Sequence, residues 1–459
     1  MMKTTIARRE FFQNFVVGAA GAMAFPYIAR TAGSTGKLNV ACVGIGHQGY
    51  KAIMAAKKEN LVAICDVDLR NQPGIFDDDE PSPAETFASR SNIAQFTDFR
   101  RMLDKMHKEI DVVLVSTPDH THFPIAMAAM EYGIPVFLQK PLAHNIWQVR
   151  TLRKAMHRYG VKTVMGNQGH TTEGIRLIKE WYEAGVLGEV REVHCWTDRP
   201  RLPWFVQPDS IPPKTEHVPK NIDWDLWQGP TKTRSFSNEF LPKRWRGWWD
   251  YGVGCLGDIG CHSLDAPFWA LDLGIPTAVD VKLDKPANLH YTPFAAHVTF
   301  HFPARGAKPP VTLHWYEGRA RPPKLDGMKD LPADGMYMIG SKEILYNEGI
   351  FPESPQLWPR ARMANYRDVL RKRPLARIGG GPFQELFSWI KNEGPKTGSN
   401  FDYASQLTEV VLLGAMAIRS GRNLKWDGGN MVVKNAPELS EWVKEPVRKG
   451  WSYGENLWI

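Results

Sequence analysis

Cysteine is scarce: five residues in 459, at Cys42, Cys65, Cys195, Cys255 and Cys261. They form no CxxC or Cys/His spacing, so a finger-type zinc site is excluded and no metal ion is expected. Cys42 and Cys65 lie in apolar runs, where a thiol behaves as a small hydrophobe. Cys255 and Cys261 are close enough in sequence to pair, but sequence alone cannot supply the required geometry. Charge of one sign is also lacking. The net +8 comes from 57 Lys and Arg against 49 Asp and Glu, scattered rather than striped. With no zinc-finger, RNA-recognition or basic-zipper signature, nucleic acid is not an expected partner. Beyond the first 35 residues no apolar run approaches the length of a membrane span, so the mature protein is not expected to be membrane-embedded. There is no internal repeat and no low-complexity tract. The length exceeds one ordinary domain and predicts two or three.

What is present begins at residues 38–50, Leu-Asn-Val-Ala-Cys-Val-Gly-Ile-Gly-His-Gln-Gly-Tyr. An apolar strand over 40–43 runs into Gly44-Ile45-Gly46-x-x-Gly49, and a helical pattern follows. Strand, glycine turn and helix is the order that places a pyrophosphate on unpaired N–H groups at a helix N-terminus. A second strand over 61–65 ends in Asp66, which lies 22 residues after Gly44. A separation of about 20 suits an acid that binds an adenosine ribose. No Arg follows at once to accept a 2′-phosphate, so NAD is read over NADP.

Strands and helices alternate through 36–167. Helices are expected over 98–107, 123–132 and 146–159, and strands over 110–115, 136–138 and 161–165. Each strand ends in a polar cluster: Ser116-Thr117-Pro118 with His122, then Gln139-Lys140-Pro141, then Gly166-Asn167-Gln168 with His170. In doubly wound sheets this edge binds ligands. The composition then changes. Seven Trp lie between 196 and 249, with many Pro, in what reads as a long ordered loop region. Strands are predicted at 279–283, 296–302, 311–316, 336–339 and 344–346, and helices at 383–391 and 403–420. The second half therefore reads as α+β, with a large, mostly antiparallel sheet.

The N-terminus carries Ala7-Arg8-Arg9-Glu10-Phe11-Phe12, followed by a Gly/Ala-rich stretch. This resembles a twin-arginine export leader over residues 1–35, which implies a folded protein delivered to the periplasm.

In Gly257-Asp258-Ile259-Gly260-Cys261-His262, a helix from about Asp258 would put Asp258 and His262 on one face. A carboxylate beside imidazole suits a general base. The alternative is a helix cap and a core histidine. Trp196, Trp204, Trp245, Trp248 and Trp249, with Arg199, Arg201, Arg244 and Arg246 among them, suit a carbohydrate pocket, or simply pack a loop. Asn167, Gln168, His170 and Trp248 are the candidate substrate contacts.

Together these motifs, with the closing segment from Phe401 to Asp427, resemble the Gfo/Idh/MocA oxidoreductases. The resemblance implies an α/β fold: a Rossmann domain over 36–167 and an α+β domain with an open sheet over 168–459. It also implies a homodimer or homotetramer. It implies that Lys140, Asp258 and His262 are catalytic. Gly44, Ile45, Gly46, Gly49, Asp66, Thr117, Pro118, His122, Gln139 and Lys140 would then hold the cofactor. Gln139 stands where the family usually has Glu, which removes a charge beside Lys140. The activity so implied is hydride transfer at a secondary alcohol of a sugar, glycoside or polyol. Two alternatives stand beside it. One is glycoside cleavage by transient oxidation with no net redox change. The other is a non-catalytic sugar sensor on the same fold.

Overall fold

A computed structural model describes residues 36–68 and 92–459. The export leader lies outside the described residues.

The N-terminal unit is a six-stranded sheet. Its strands are β1 (Asn39–Val43), β2 (Asn60–Cys65), β3 (Ala94–Phe96), β4 (Val112–Val115), β5 (Val136–Leu138) and β6 (Thr163–Met165). They run parallel in the order β3-β2-β1-β4-β5-β6. Every residue of β4 is buried, as expected when helices cover both faces. The strand order reverses beside β1, so the crevice above the ends of β1 and β4 is the expected ligand position.

Helix α1 (Gln48–Ala56) follows the glycine turn, and α2 (Phe99–Met106) is capped by the Asp98 carboxylate. Helix α3 (Asp119–Glu131) begins four residues before the apolar periodicity does. Its first turn, Asp119-His120-Thr121-His122, is polar yet buried, so hydropathy hides it. Helix α4 (Ile146–Tyr159) starts at the Asn145 cap and ends at Gly160, in the left-handed conformation.

The second unit holds a nine-stranded sheet ordered β13-β12-β11-β7-β10-β9-β8-β14-β15. The five strands predicted from sequence are there: β8 (Ala278–Leu283), β9 (Ala296–Phe302), β10 (Val311–Glu317), β11 (Asp334–Gly340) and β12 (Ile344–Glu348). Four more are β7 (Val190–Thr197), β13 (Gln356–Trp358), β14 (Leu424–Asp427) and β15 (Val432–Val433). β7 pairs in parallel with β10, and the other ladders are antiparallel.

One face of this sheet packs Val193, Cys195, Val298, Phe300, Leu313 and Trp315 into the main core. Helices α5 (Glu173–Glu183), α6 (Gly254–Ser263), α7 (Asp265–Leu271) and α8 (Gly381–Ile390) precede α9 (Phe401–Ser420). Leu256 and Ile259 of α6 and Val411 of α9 share the core with that sheet face. Because α6 starts at Gly254, Asp258 sits mid-helix and is not a cap. All five cysteines are buried and free, so Cys255 and Cys261 do not pair.

The Trp-rich segment folds on itself. Trp224, Trp227, Phe236, Phe240, Trp245, Trp248, Tyr251 and Tyr291 form a separate aromatic cluster.

Candidate active site

The glycine turn is sterically obligatory at two positions. Gly44 has φ 78°, and a Cβ there would lie 2.7 Å from the Ser116 carbonyl carbon. A Cβ on Gly49 would lie 2.1 Å from the Gly44 oxygen. The close β1–β4 approach and the seating of α1 on the turn therefore both need glycine. Asp66, at the end of β2, accepts from Ile45 N at 2.8 Å and so ties the turn to the next strand. Burial pushes its carboxyl up to about 6, against the lowering effect of the Ile45 and Asp68 N–H groups.

A cleft of about 220 Å3 starts at this turn. It passes Ser116, Thr117, Pro118, Gln139 and Lys140 and reaches Trp245, Arg246 and Asp258. Buried atoms in its wall without a hydrogen-bond partner among the described residues include Gln48 Oε1, Ser116 Oγ, Thr117 Oγ1 and Gln139 Nε2. A polar ligand laid along the cleft would satisfy them, and the glycine turn leaves room for a phosphate. The residues present therefore fit a dinucleotide.

At the far end the Lys140 ammonium donates to the Asp258 carboxylate at 2.8 Å and to the Asp258 backbone oxygen at 2.5 Å. Arg246 Nε lies 3.4 Å from the same carboxylate oxygen. Burial alone would raise the Asp258 carboxyl, but Lys140 and Arg246 outweigh it and hold the group well below the usual carboxylate range. Arg246 in turn stacks on Trp245, 4.4 Å from the ring centroid.

Asp258 does not orient His262. That role falls to Asn167, whose Oδ1 is 2.8 Å from His262 Nδ1 and whose Nδ2 donates to the Cys261 oxygen at 2.7 Å. Burial, with Lys140 adding to it, pushes the imidazole well below its ordinary value. A neutral ring that donates from Nδ1 to Asn167 keeps a lone pair on Nε2.

The two domains of one family cover these elements. Residues 38–167 match the NAD-binding Rossmann fold of the GFO_IDH_MocA oxidoreductase family, and 176–299 match its C-terminal alpha/beta domain. An uncharacterized oxidoreductase of Escherichia coli K12, YdgJ, is 37% identical over 330 residues, which is 68% of this chain and 80% of the relative. The chain belongs to the Gfo/Idh/MocA oxidoreductase family.

Other relatives match over shorter spans. A 2,7-anhydro-N-acetylneuraminate hydratase of Mediterraneibacter gnavus is 25% identical over 27% of this chain and 34% of its own length. Inositol 2-dehydrogenase of Azotobacter vinelandii is 25% identical over 34% of this chain and 45% of its own length. The fold is that of WlbA dehydrogenase from Bordetella pertussis, solved with NADH and UDP-GlcNAcA. That likeness has TM-score 0.57 and 15% identity, over 85% of this chain and 99% of the other. Levoglucosan dehydrogenase, solved with NADH and L-sorbose, aligns at TM-score 0.54 and 17% identity, over 84% and 98%.

In this Gfo/Idh/MocA chain the remaining expected residues divide. Pro118 caps α3 and lines the cleft. His122 is buried between the carbonyls of Pro141, 2.7 Å from Nδ1, and Thr117, 2.8 Å from Nε2. Burial pushes its imidazole down to about 4 against the raising effect of the two carbonyls, and the neutral ring, with a single N–H, donates to one of them. Gln168 lies beside Asn167 with its Oε1 buried and unpartnered among the described residues. His170 is only 1% exposed and is held by the Asp265 carboxylate at 3.0 Å, with Tyr403 donating to the same oxygen at 2.5 Å. It does not line the cleft. Neither does Trp248, which is fully buried, donates to the Glu239 oxygen at 3.0 Å and packs on Phe240 and Tyr291.

Sequence reasoning missed Asp119. It lies in the cleft wall at the start of α3, 6% exposed, and burial pushes its carboxyl up to about 7. Its signal was positional: the first polar residue after a Pro at the end of a buried strand.

Proposed function

We propose that the protein is an NAD-dependent oxidoreductase acting on a secondary alcohol of a sugar, glycoside or polyol. The observation that carries this reading is the end of the cleft, where Lys140 is held by Asp258 within the family's NAD-binding frame. Bound NAD would accept or return a hydride at the carbinol carbon. Lys140 would stabilise negative charge on the carbinol oxygen, with Asp258 and Arg246 fixing its place. His262 is 4% exposed and stands one turn along α6 from Asp258, behind the cleft lining; from there its Nε2 would take the hydroxyl proton, with Nδ1 anchored on Asn167. Trp245 and Arg246 would give a sugar an apolar face and a polar rim at the cleft mouth.

The glycoside-cleaving alternative draws on one observation. Asp119, with its carboxyl near neutral in affinity, is a second acid or base in the same wall. An elimination needs such a group beyond the pair that serves oxidation.

The test is to purify the protein, exchange its nucleotide for NAD, and incubate it with a panel of sugars and glycosides. Growth of reduced-nicotinamide absorbance supports net oxidation, and cleavage without reduction supports the alternative. Lys140→Ala is expected to lose turnover by about 10²-fold or more while keeping the nucleotide. Unchanged turnover would refute its role. The twin-arginine leader supports an exported enzyme. Arg8→Lys with Arg9→Lys would then leave the protein in the cytoplasmic fraction, and continued export would refute this reading.

A further inference from the structure

The large sheet has a second face, turned away from α6 and α9. Residues alternate across a strand, so Val193 and Cys195 point into the core while Glu192 and His194 point out. In the parallel β7–β10 ladder, His194 lies directly beside His314 and Glu192 beside Thr312. The three side chains converge. Glu192 Oε1 is 2.8 Å from His194 Nε2 and 3.8 Å from His314 Nε2, and all three ligand atoms lie within 4.8 Å of one another.

Both imidazoles are braced from behind. His194 Nδ1 is 3.1 Å from the Tyr316 hydroxyl. His314 Nδ1 is 3.1 Å from His297 Nε2 and 3.1 Å from Thr299 Oγ1. With a proton on each Nδ1 and the lone pairs of Nε2 turned toward Glu192, these are the outer partners that metal-bound histidines use. Burial grades outward across the cluster. The side chain of His194 is 3% exposed, that of His314 18% and that of Glu192 47%, so an ion could enter from the Glu192 side. Lys282, opposite His297 on β8, is exposed.

We propose that Glu192, His194 and His314 form a divalent transition-metal site of the zinc class on the outer sheet face, with water in the fourth position. One carboxylate and two imidazoles form a common zinc donor set. Tetrahedral ligation needs ligand atoms about 3.3 Å apart. The two spacings from Glu192, 2.8 and 3.8 Å, bracket that value, and side-chain rotation would draw the two imidazoles onto a common ion. The ion would tie β7 to β10. It lies across the sheet from α6, which carries Asp258 and His262, so it takes no part in their chemistry.

The probe is zinc chloride added to full-length protein after chelator treatment, followed by calorimetry, with cobalt(II) substitution read by absorbance. The expected result is one saturable site per chain, with visible cobalt bands of tetrahedral intensity. Glu192→Gln and His314→Gln should each weaken zinc binding tenfold or more while leaving nucleotide binding unchanged. The more exposed Glu192 serves as the check should His314→Gln fail to fold. The proposal is overturned by no saturable zinc binding, or by binding that both folded variants retain at full strength.

Discussion

At the scale of single residues, the site is governed by charges removed from water. Asp258 stays ionised because two cations face it, whereas Asp119, in the same wall, lacks such close partners and is pushed up to about 7. The sign of the consequence is definite. A carboxyl raised in the folded state binds its proton more tightly there than in the unfolded chain. Its stabilising effect is full below pH 4 and is lost as pH rises through about 7. Asp119→Asn removes that dependence. By pH 8 the variant should be more stable than the parent, by an amount on the order of 4 kcal/mol, and near pH 4 the two should melt alike. Melting curves of nucleotide-free protein at pH 4, 6 and 8 measure this. A stability difference that does not grow with pH would refute it. Asn167 is a positioning residue. Asn167→Ala should lower kcat by about 10²-fold, leave KM nearly unchanged and alter the acid limb of the pH–rate profile, because the His262 ring loses its anchor. A kcat and pH profile like the parent's would refute that role.

At the scale of elements, the glycine turn makes the strongest demand. Gly49→Ala would place a methyl 2.1 Å from the Gly44 oxygen, so α1 must move away from β1. Overpacking of this kind costs about 1–3 kcal/mol. It should also weaken NAD binding at least tenfold, as measured by calorimetry, and unchanged affinity would count against the turn as the phosphate cradle. This turn was legible in sequence because its order and spacing follow directly from sterics. The parallel strands were legible for a similar reason: burial on both faces makes them continuous apolar runs, as in Val112–Val115. β7 was not, because its outer face carries Glu192 and His194 in place of an apolar alternation. The Asp258–His262 spacing correctly indicated a shared helix, but the hydrogen bonds depend on residues far away in sequence. Lys140 takes Asp258 and Asn167 takes His262, contacts across 118 and 95 residues that no local pattern encodes. Trp248 and His170 were read as substrate contacts from composition and position. Aromatic packing around the first and the Asp265–Tyr403 pair around the second place both inside the protein.

At the scale of the whole molecule, α9 joins the two units. One continuous apolar core runs from Val113 and Leu138 of the first sheet to Val298 and Leu313 of the second, and Leu407, Val410 and Val411 of α9 belong to it. A Cβ on Gly414 would lie 2.4 Å from Leu256 and 2.7 Å from Phe300, so the helix backbone rests directly on the second unit. Its other side is fastened to the first. Arg150 of α4 holds the Glu409 carboxylate through two bonds, of 2.7 and 2.6 Å, and Trp426 Nε1 of β14 donates to it at 3.1 Å. Glu409 is 3% exposed, so its loss leaves a cation facing a nearly dry interface. Arg150 retains some contact with water, which reduces the penalty. Glu409→Ala should therefore cost about 2–3 kcal/mol. Because this one carboxylate links both units, the loss should be shared. Denaturant midpoints followed by tryptophan fluorescence, which reports mainly the second unit, and by nucleotide binding, which reports the first, should fall together. If the fluorescence midpoint fell while nucleotide binding persisted, the units would unfold separately, and α9 would not couple the Lys140 loop to the helix that carries Asp258.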